Sequence, residues 1–320
     1  MSSNIGPALV IVTPIYEDLE ASSRLFKELA AATGTNTYIV AVDDGSVRKP
    51  VDPAIIAAAG LRGVVIKLKR NVGHQLAIAI GLNYAANHFS DAASIVIMDS
   101  DGEDLPTSIA QLLTQLNSTD IDIVVAQRKS RVETLRFRAF YVVYKWLFKL
   151  LSGHKISFGN FMAMKPAAAK RLAAMQELSI HVAGCALKAK LRMTSCALDR
   201  GPRYAGHSKM NFVGLALHGF KALMVFAEDV LVRVGIACVL VAALSVVGVA
   251  AAITLKLLGF ATPGWFSVAL GILLLALLQT GALTLTTLML SGVVRSGAAT
   301  SISYDEFVDA VTDADTDSTH

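Results

Sequence analysis

Two long uncharged runs constrain what this chain can fold into more than any other feature. Residues 234–255 carry no charge over 22 positions, and after Lys256 residues 257–294 continue for 38 more. A helix crossing a bilayer needs about 20 apolar residues, so two transmembrane helices are predicted, over about 234–256 and 266–292. Gly259, Pro263 and Gly264 supply the turn between them. A buried hairpin of a soluble core is the alternative, and this length disfavours it. The runs also account for a hydrophobic content of 54%, more than an average soluble globule carries.

Basic residues set the expected orientation. Arg233 precedes the first run and Arg295 follows the second, while Lys256 alone stands near the short connection. The positive-inside rule then puts both termini and everything ahead of the spans in the cytoplasm, at the inner membrane of a cell. Residues 1–7, MSSNIGP, have no basic n-region, so no signal peptide is expected. Cys185, Cys196 and Cys238 show no metal-ligand spacing and read as packing residues of a reducing compartment. After Arg295 no basic residue occurs, and Asp305, Glu306, Asp309, Asp313, Asp315 and Asp317 make an acidic end. Residues 296–320 are therefore expected to be a solvated, disordered tail. The net charge of +4 understates how basic the remainder is. A basic domain on a membrane suits anionic headgroups or phosphorylated substrates, and nucleic acid is not an expected partner.

The first half alternates two periods. Residues 8–14, 37–46, 64–68, 94–100 and 122–128 are short β-rich runs closed by turn residues, and 19–32, 74–88 and 106–117 are helical between them. This predicts an α/β domain over 1–208, a mostly parallel sheet with helices on both faces. A juxtamembrane amphipathic helix over 209–232 follows, then the spans within 233–295. Residues 131–152, with Arg131, Arg136, Arg138, Lys145 and Lys149 among aromatics, fit either an interfacial helix or a core helix with snorkelling cations.

In such sheets ligands bind beyond the C-terminal ends of the strands, and there the polar clusters fall. They are residues 14–18 (PIYED), 43–46 (DDGS), 70–73 (RNVG) and 99–104 (DSDGED). Asp99 and Asp101, at i and i+2, can aim two carboxylates to one side. Hard cations such as Mg²⁺ or Mn²⁺ take a couple of carboxylates together with substrate phosphates. Such a cation would neutralise a diphosphate leaving group. Further on, residues 200–209 carry Arg200, Arg203, Ser208 and Lys209 on a glycine-containing loop, donors suited to a lipid phosphate.

These motifs together resemble the inverting glycosyltransferases of family 2, and within it the polyprenyl-phosphate branch that includes dolichol-phosphate mannose synthase. The likeness runs from residue 8 to about residue 230 by motif and over the two spans by architecture. It implies a nucleotide-diphospho-sugar transferase (GT-A type) fold, with a nucleotide-diphosphate sugar as donor and a polyprenyl phosphate as acceptor. Pro14, Tyr16 and Asp18 match the motif around the nucleotide base, although the family usually has Asn-Glu where this chain has Glu17-Asp18. Asp44 matches a base- or ribose-contacting carboxylate. Arg70 and Gly73 match the Arg-Asn-x-Gly turn before a helix, and His74 stands where a basic residue is frequent. Asp99 and Asp101 match the metal motif, with Glu103 as a third contact, and Arg128 matches an arginine near the sugar or phosphates. Arg203, Ser208 and Lys209 resemble the Arg-x-x-Gly-x-Ser-Lys segment over the phosphates, with Arg200 beside them.

One departure bears on the acceptor. Residues 159–162 read Gly-Asn-Phe-Met where bacterial relatives often have Gly-Asp-Phe-Arg, so Asn160 replaces an acid. A phosphate acceptor is largely dianionic at neutral pH and needs no base. A hydroxyl acceptor would need one, and Asp104 or Glu103 would be nearest. Asp104 otherwise reads as the cap of the helix beginning at Pro106. Alternatives to the phosphate-acceptor enzyme are a glycosyltransferase acting on a hydroxyl of a glycan and a non-catalytic membrane module binding nucleotide sugar. A nucleotidyltransferase lacks support, because no Gly-rich loop lies between Val12 and Leu19. Some relatives with two C-terminal spans assemble as tetramers, so a homo-oligomer, tetramer or dimer, is a further expectation.

Overall fold

A computed structural model of the chain describes residues 7–118, 120–128, 135–204, 212–260, 262, 264–297 and 303–314. Strand β1 (Leu9–Ile15) leads through α1 (Leu19–Thr33) to β2 (Thr37–Asp43), and α2 (Ala54–Ala58) leads to β3 (Arg62–Leu68). Next come α3 (His74–His88), β4 (Ser94–Ile97), α4 (Ile109–Ser118), β5 (Ile123–Arg128) and α5 (Leu135–Ser152). Then follow β6 (Met162–Met164), α6 (Pro166–Ala173), α7 (Glu177–Ile180), α8 (Val182–Lys188), β7 (Met193–Leu198) and α9 (Phe212–Met224). The chain closes with α10 (Ala227–Leu257), α11 (Trp265–Gly297) and β8 (Val308–Asp313). Two units divide it: Met1–Val142, Ile156–Val225 and Ser301–His320 form the first, Val143–Lys155 and Phe226–Thr300 the second.

The first unit is built on one mixed sheet of order β7-β5-β6-β4-β1-β2-β3-β8. Strands β3, β2, β1 and β4 run parallel, as does the pair β5 and β7. Strand β6 opposes both β4 and β5, and β8 opposes β3. Both faces of the central strands are covered, which is why their sequences are unbroken apolar runs rather than alternating ones. Val10, Val12, Val40, Val42, Ile95 and Ile97 point into the layer shared with α3, α6 and α8. Their neighbours Ile11, Ile39, Ala41, Val96 and Met98 point into the layer shared with α1 and α4, where Phe26, Leu29 and Leu112 are buried.

The topology decides which loops meet. Parallel β1, β2, β3 and β4 deliver residues 16–18, 44–46, 69–73 and 98–104 to one rim. Because β6 runs the other way, its N-terminal approach, with Asn160, reaches that same rim. Strand β7, parallel to β5, sends residues 199–204 there as well.

The acidic end corrects the expectation of a disordered tail. Val308–Asp313 is a strand on the outer edge of β3, with Lys67 within 3.7 Å of Asp309. Lys69 N–H donates to Phe307 O and its Nζ to Glu306 O, both at 3.0 Å, and Tyr304 is buried in the core beside α3. Composition hid this strand. The six acids dominate the segment, but backbone pairing with β3 and two lysines compensate them locally. Residues 298–302 and 315–320 of that expected tail lie outside the described residues.

In the second unit α10 and α11 pack on each other along an apolar hairpin. The most apolar 18-residue stretch of Ala227–Leu257 has a mean hydropathy of 2.8 and that of Trp265–Leu290 of 2.2, and both helices are long and apolar enough to cross a membrane. Their large side chains face outward: Leu244 is 71% exposed and Leu278 72%. In water such surface would be costly, since about 25 cal/mol per Å² of apolar area is at stake; in hydrocarbon it is not. The C-terminal part of α5 belongs to this unit. Phe148 packs edge-on to Phe226 with ring centroids 5.9 Å apart, while Trp146 and Leu150 are exposed. The helix is thus amphipathic there, consistent with either reading of residues 131–152; Arg131 and the side chains of Arg136 and Arg138 lie outside the described residues, as do Pro263 and the Arg295 side chain.

Candidate active site

The turn after β4 is organised by its own acids. Asp99 N–H donates to Asp104 Oδ2 at 3.0 Å, and Glu103 N–H to Asp101 Oδ1 at 3.0 Å. Gly102, at φ +86°, closes the turn in a conformation that strains other residues. Asp104 therefore braces the turn instead of capping the next helix. The 3₁₀ turn Pro106–Ser108 begins from Leu105, with no side-chain cap.

Residues 199–204 lie across this turn. Gly201 N–H donates to Glu103 O at 3.0 Å and Tyr204 N–H to Asp101 O at 2.9 Å, so the two segments are joined by backbone. Arg203 Nη2 stands 2.9 Å from Asp101 Oδ2, and its Nε 3.2 Å from Glu103 Oε1. Arg200 pairs with Glu103 from the other side. Tyr204 anchors the crossing. Its ring covers Gly102, its hydroxyl donates to Glu28 Oε2 at 2.5 Å, and Arg24 sits 4.3 Å over the ring. Burial and the Asp99 charge push the Asp101 carboxyl above the usual range, and Arg203 offsets only part of this.

His74 opens α3 and faces Asp99, with Nε2 3.1 Å from Oδ1. Burial disfavours its charge, but Asp99, Asp101 and Asp104 together outweigh that and raise its pKa. The Asn160 amide lies 3.1 Å from the same Nε2. Asn160 thus touches the histidine that pairs with Asp99. A cleft beside them is lined by Asp99, Gln127, Asn160, Asp199 and Arg200.

The remaining acids shape the other half of the rim. Both oxygens of Asp44 accept backbone bonds, from Val72 N–H at 2.7 Å and Gly73 N–H at 3.0 Å, so Asp44 holds the turn before α3. Buried Asp43 accepts from Ser46 N–H at 2.9 Å and Val51 N–H at 3.0 Å. Glu17, in the left-handed region at φ 52°, gathers the N–H groups of Val47, Arg48 and Lys49. Asp18 precedes α1 without a side-chain cap, Tyr16 is 45% exposed, Pro14 lies within β1, and the Arg70 guanidinium is exposed and turned back on Asn71 O.

Most of the expected site residues thus share one rim: Pro14, Tyr16, Asp18, Asp44, Arg70, Gly73, His74, Asp99, Asp101, Glu103, Asn160, Arg200 and Arg203. Ser208, Lys209 and the Arg128 side chain lie outside the described residues. Among the described residues no three His, Cys, Asp or Glu groups stand so as to hold a metal ion. Glu103, the expected third metal contact, is turned to Arg200 and Arg203. Asp99 and Asp101 remain a two-carboxylate oxygen donor set, the kind Mg²⁺ completes with phosphate oxygens and water. Sequence reasoning did not single out Glu28 and Tyr204, and it gave no role to Asp43 and Glu17, although both lie in the polar clusters at strand ends.

A second polar joint links α8 to α9. His181 caps α8 by accepting Gly184 N–H on Nδ1 at 3.0 Å, which leaves the proton on Nε2, 3.1 Å from His218 Nε2 on α9. Lys221 opposes any charge there, and Gln75 holds the same corner through Val182 N–H. Burial, then His218, push the His181 pKa from 6.5 down to about 3. A depressed pKa means stability present above 6.5 and lost as pH falls toward 3. Thermal unfolding at pH 7 and pH 5 should show a loss of up to about 2 kcal/mol from this residue. His181→Asn, which keeps a capping oxygen, should remove that part of the acid sensitivity.

Comparison with known proteins bears on this site. The sequence matches the family model described as glycosyl transferase family 2 over residues 10–181. It is 27% identical over 215 residues to an uncharacterized glycosyltransferase of Synechocystis, covering 64% of each chain. It is 26% identical over 294 residues to the uncharacterized glycosyltransferase YkoT of Bacillus subtilis, covering 85% of this chain and 83% of that one. Over 135 residues it is 27% identical to the dodecaprenyl-phosphate galacturonate synthase of Rhizobium johnstonii, 41% of this chain and 38% of the relative.

Proposed function

The chain belongs to glycosyl transferase family 2, and from that premise we propose that it moves a hexose, with inversion, from a nucleotide-diphosphate sugar to a polyprenyl phosphate at the cytoplasmic face of a membrane. Its first unit has the nucleotide-sugar transferase (GT-A) fold. One observation carries the reading: beside Asp99, the carboxylates of Asp101 and Glu103 meet the guanidinium groups of Arg200 and Arg203 on the rim where parallel strands end. Paired opposite charges of this kind suit a diphosphate bound with a cation.

A divalent Mg²⁺ or Mn²⁺ on Asp99 and Asp101 would supply charge neutralisation for the departing nucleoside diphosphate. This chain's own residues do the rest. The turn 70–73, held by Asp44, presents the N-terminal end of α3 toward the rim, where backbone N–H groups favour anions. Arg203 and Arg200 supply fork donors for phosphate oxygens. Ser208, Lys209 and Arg128 are proposed to act with them.

The acceptor assignment rests on chemistry as well as on likeness. A phosphate monoester attacks without giving up a proton, and the residues weighed as a base are otherwise engaged. Asn160 cannot take a proton, Glu103 is paired with two arginines, and Asp104 accepts from Asp99 N–H. This disfavours a hydroxyl acceptor. The apolar hairpin suits a lipid substrate, and the Rhizobium relative is named for a dodecaprenyl-phosphate product. Arg233 and Arg295 against Lys256 support a cytoplasmic first unit.

Membranes carrying the protein, supplied with polyprenyl phosphate, Mg²⁺ or Mn²⁺ and a panel of labelled nucleotide sugars, should yield an acid-labile labelled lipid with one donor. An acid-stable glycoside would favour the hydroxyl acceptor instead. No labelled lipid under any pairing would overturn the proposal.

A further inference from the structure

We infer that Arg203 has two posts: it pairs with Asp101 as a stand-in cation before a metal ion binds, and passes to the donor diphosphate when the ion takes its place. The inference rests on the reading of Asp99 and Asp101 as cation ligands. Three features of the crossing carry it. First, Arg203 is shared between Asp101, at 2.9 Å, and Glu103, at 3.2 Å, so releasing Asp101 leaves it one carboxylate partner. Second, Arg200 holds Glu103 independently, so the acidic turn does not collapse when Arg203 moves. Third, the backbone of the segment is fixed without the guanidinium. Gly201 and Tyr204 N–H groups bond the carbonyls of Glu103 and Asp101, and Tyr204 is bonded to Glu28.

Charge balance demands some such partner. Asp99, Asp101, Glu103 and Asp104 lie within six positions, and their repulsion is relieved here by His74 and the two arginines. A divalent ion arriving on Asp99 and Asp101 must displace Arg203 from one of its two contacts. The freed guanidinium then sits beside the diphosphate that the ion brings. Metal and arginine compete for Asp101 when the ion comes alone, and cooperate when it comes with phosphates. No purely structural role predicts that change of sign.

The test is Arg203→Ala, with two base-independent probes and no turnover. Mn²⁺ alone should bind the variant more tightly, by about tenfold if the lost pair is a typical charged hydrogen bond. Magnesium pyrophosphate should bind it more weakly, by about tenfold or more. Arg203→Lys, which keeps the charge but not the fork, should leave Mn²⁺ affinity near that of the parent protein and weaken pyrophosphate binding less. If the alanine variant is unstable by thermal unfolding, the lysine variant and Tyr204→Phe, which loosens the anchor alone, carry the comparison. For Tyr204→Phe both affinities should change by less than about threefold. Two affinities falling together would make Arg203 a structural brace and overturn the inference, as would no change in either. Opposite shifts without any sugar transfer would keep the inference and discard the glycosyl acceptor reading.

Discussion

Asp101→Asn should reduce sugar transfer by about 10²–10³-fold, the usual cost of removing one preorganised charge-stabilising group from a polar active site. The substitution is nearly isosteric and keeps an oxygen for Glu103 N–H, whose bond to Oδ1 is 3.0 Å. It removes half of the charge that Asp99 and Asp101 can offer a divalent ion, and it leaves Arg203 with Glu103 alone. The loss should fall on kcat, with the thermal midpoint lowered little, because the anchor through Tyr204 and Glu28 is untouched. Asp104→Asn provides the contrast. Its oxygen can still accept from Asp99 N–H, so activity should stay within a few-fold unless Asp104 were a catalytic base. Comparable rates for parent and Asp101→Asn would remove the proposed cation site.

The second large effect is expected at Gly45, and it acts through stability and donor binding together. Here the turn after β2 meets the turn after β3 backbone to backbone. A Cβ on Gly45 would come 2.6 Å from Asn71 N and closer still to the Arg70 carbonyl carbon, and neither is a side-chain end that can swing aside. Gly45 also sits at φ +70°, where a Cβ costs about 1–2 kcal/mol. With the displacement of the 70–73 turn, Gly45→Ala should cost about 2–4 kcal/mol. That turn is tied to Asp44 through Val72 and Gly73, so nucleotide affinity should fall as well. Calorimetry and a nucleotide titration on the same preparation would check both. An unchanged melting curve would show that the crossing yields more easily than its geometry implies.

Local patterns were legible wherever the relevant physics is local. The strands of residues 9–15 and 37–43 and the helices of 19–33 and 74–88 fall within a residue or a few of their expected bounds, because apolar periodicity and turn residues act over a few positions. The short β6, with its three residues, and β8, hidden among acids, were not, because each exists only through a partner strand already in place. The site divides in the same way. The motif residues announced the rim and, by resemblance, a nucleotide contact for Asp44 and a metal contact for Glu103, but not the bonds these acids make within the protein. In the fold Asp44 binds the 70–73 turn and Glu103 binds two arginines.

What the sequence by itself determined is an apolar two-helix hairpin, a strand–helix alternation and a set of polar clusters at strand ends. Those follow from hydrophobic period and length, which neighbouring residues decide among themselves. What only the tertiary structure decided is which charge meets which. Asn160 reaches His74 across 86 positions, Tyr204 reaches Glu28 across 176, and Lys69 reaches Glu306 across 237. Contacts of that span depend on strand order and direction. The antiparallel direction of β6 and the parallel return of β7 bring Asn160 and Arg203 to the acids that follow β4.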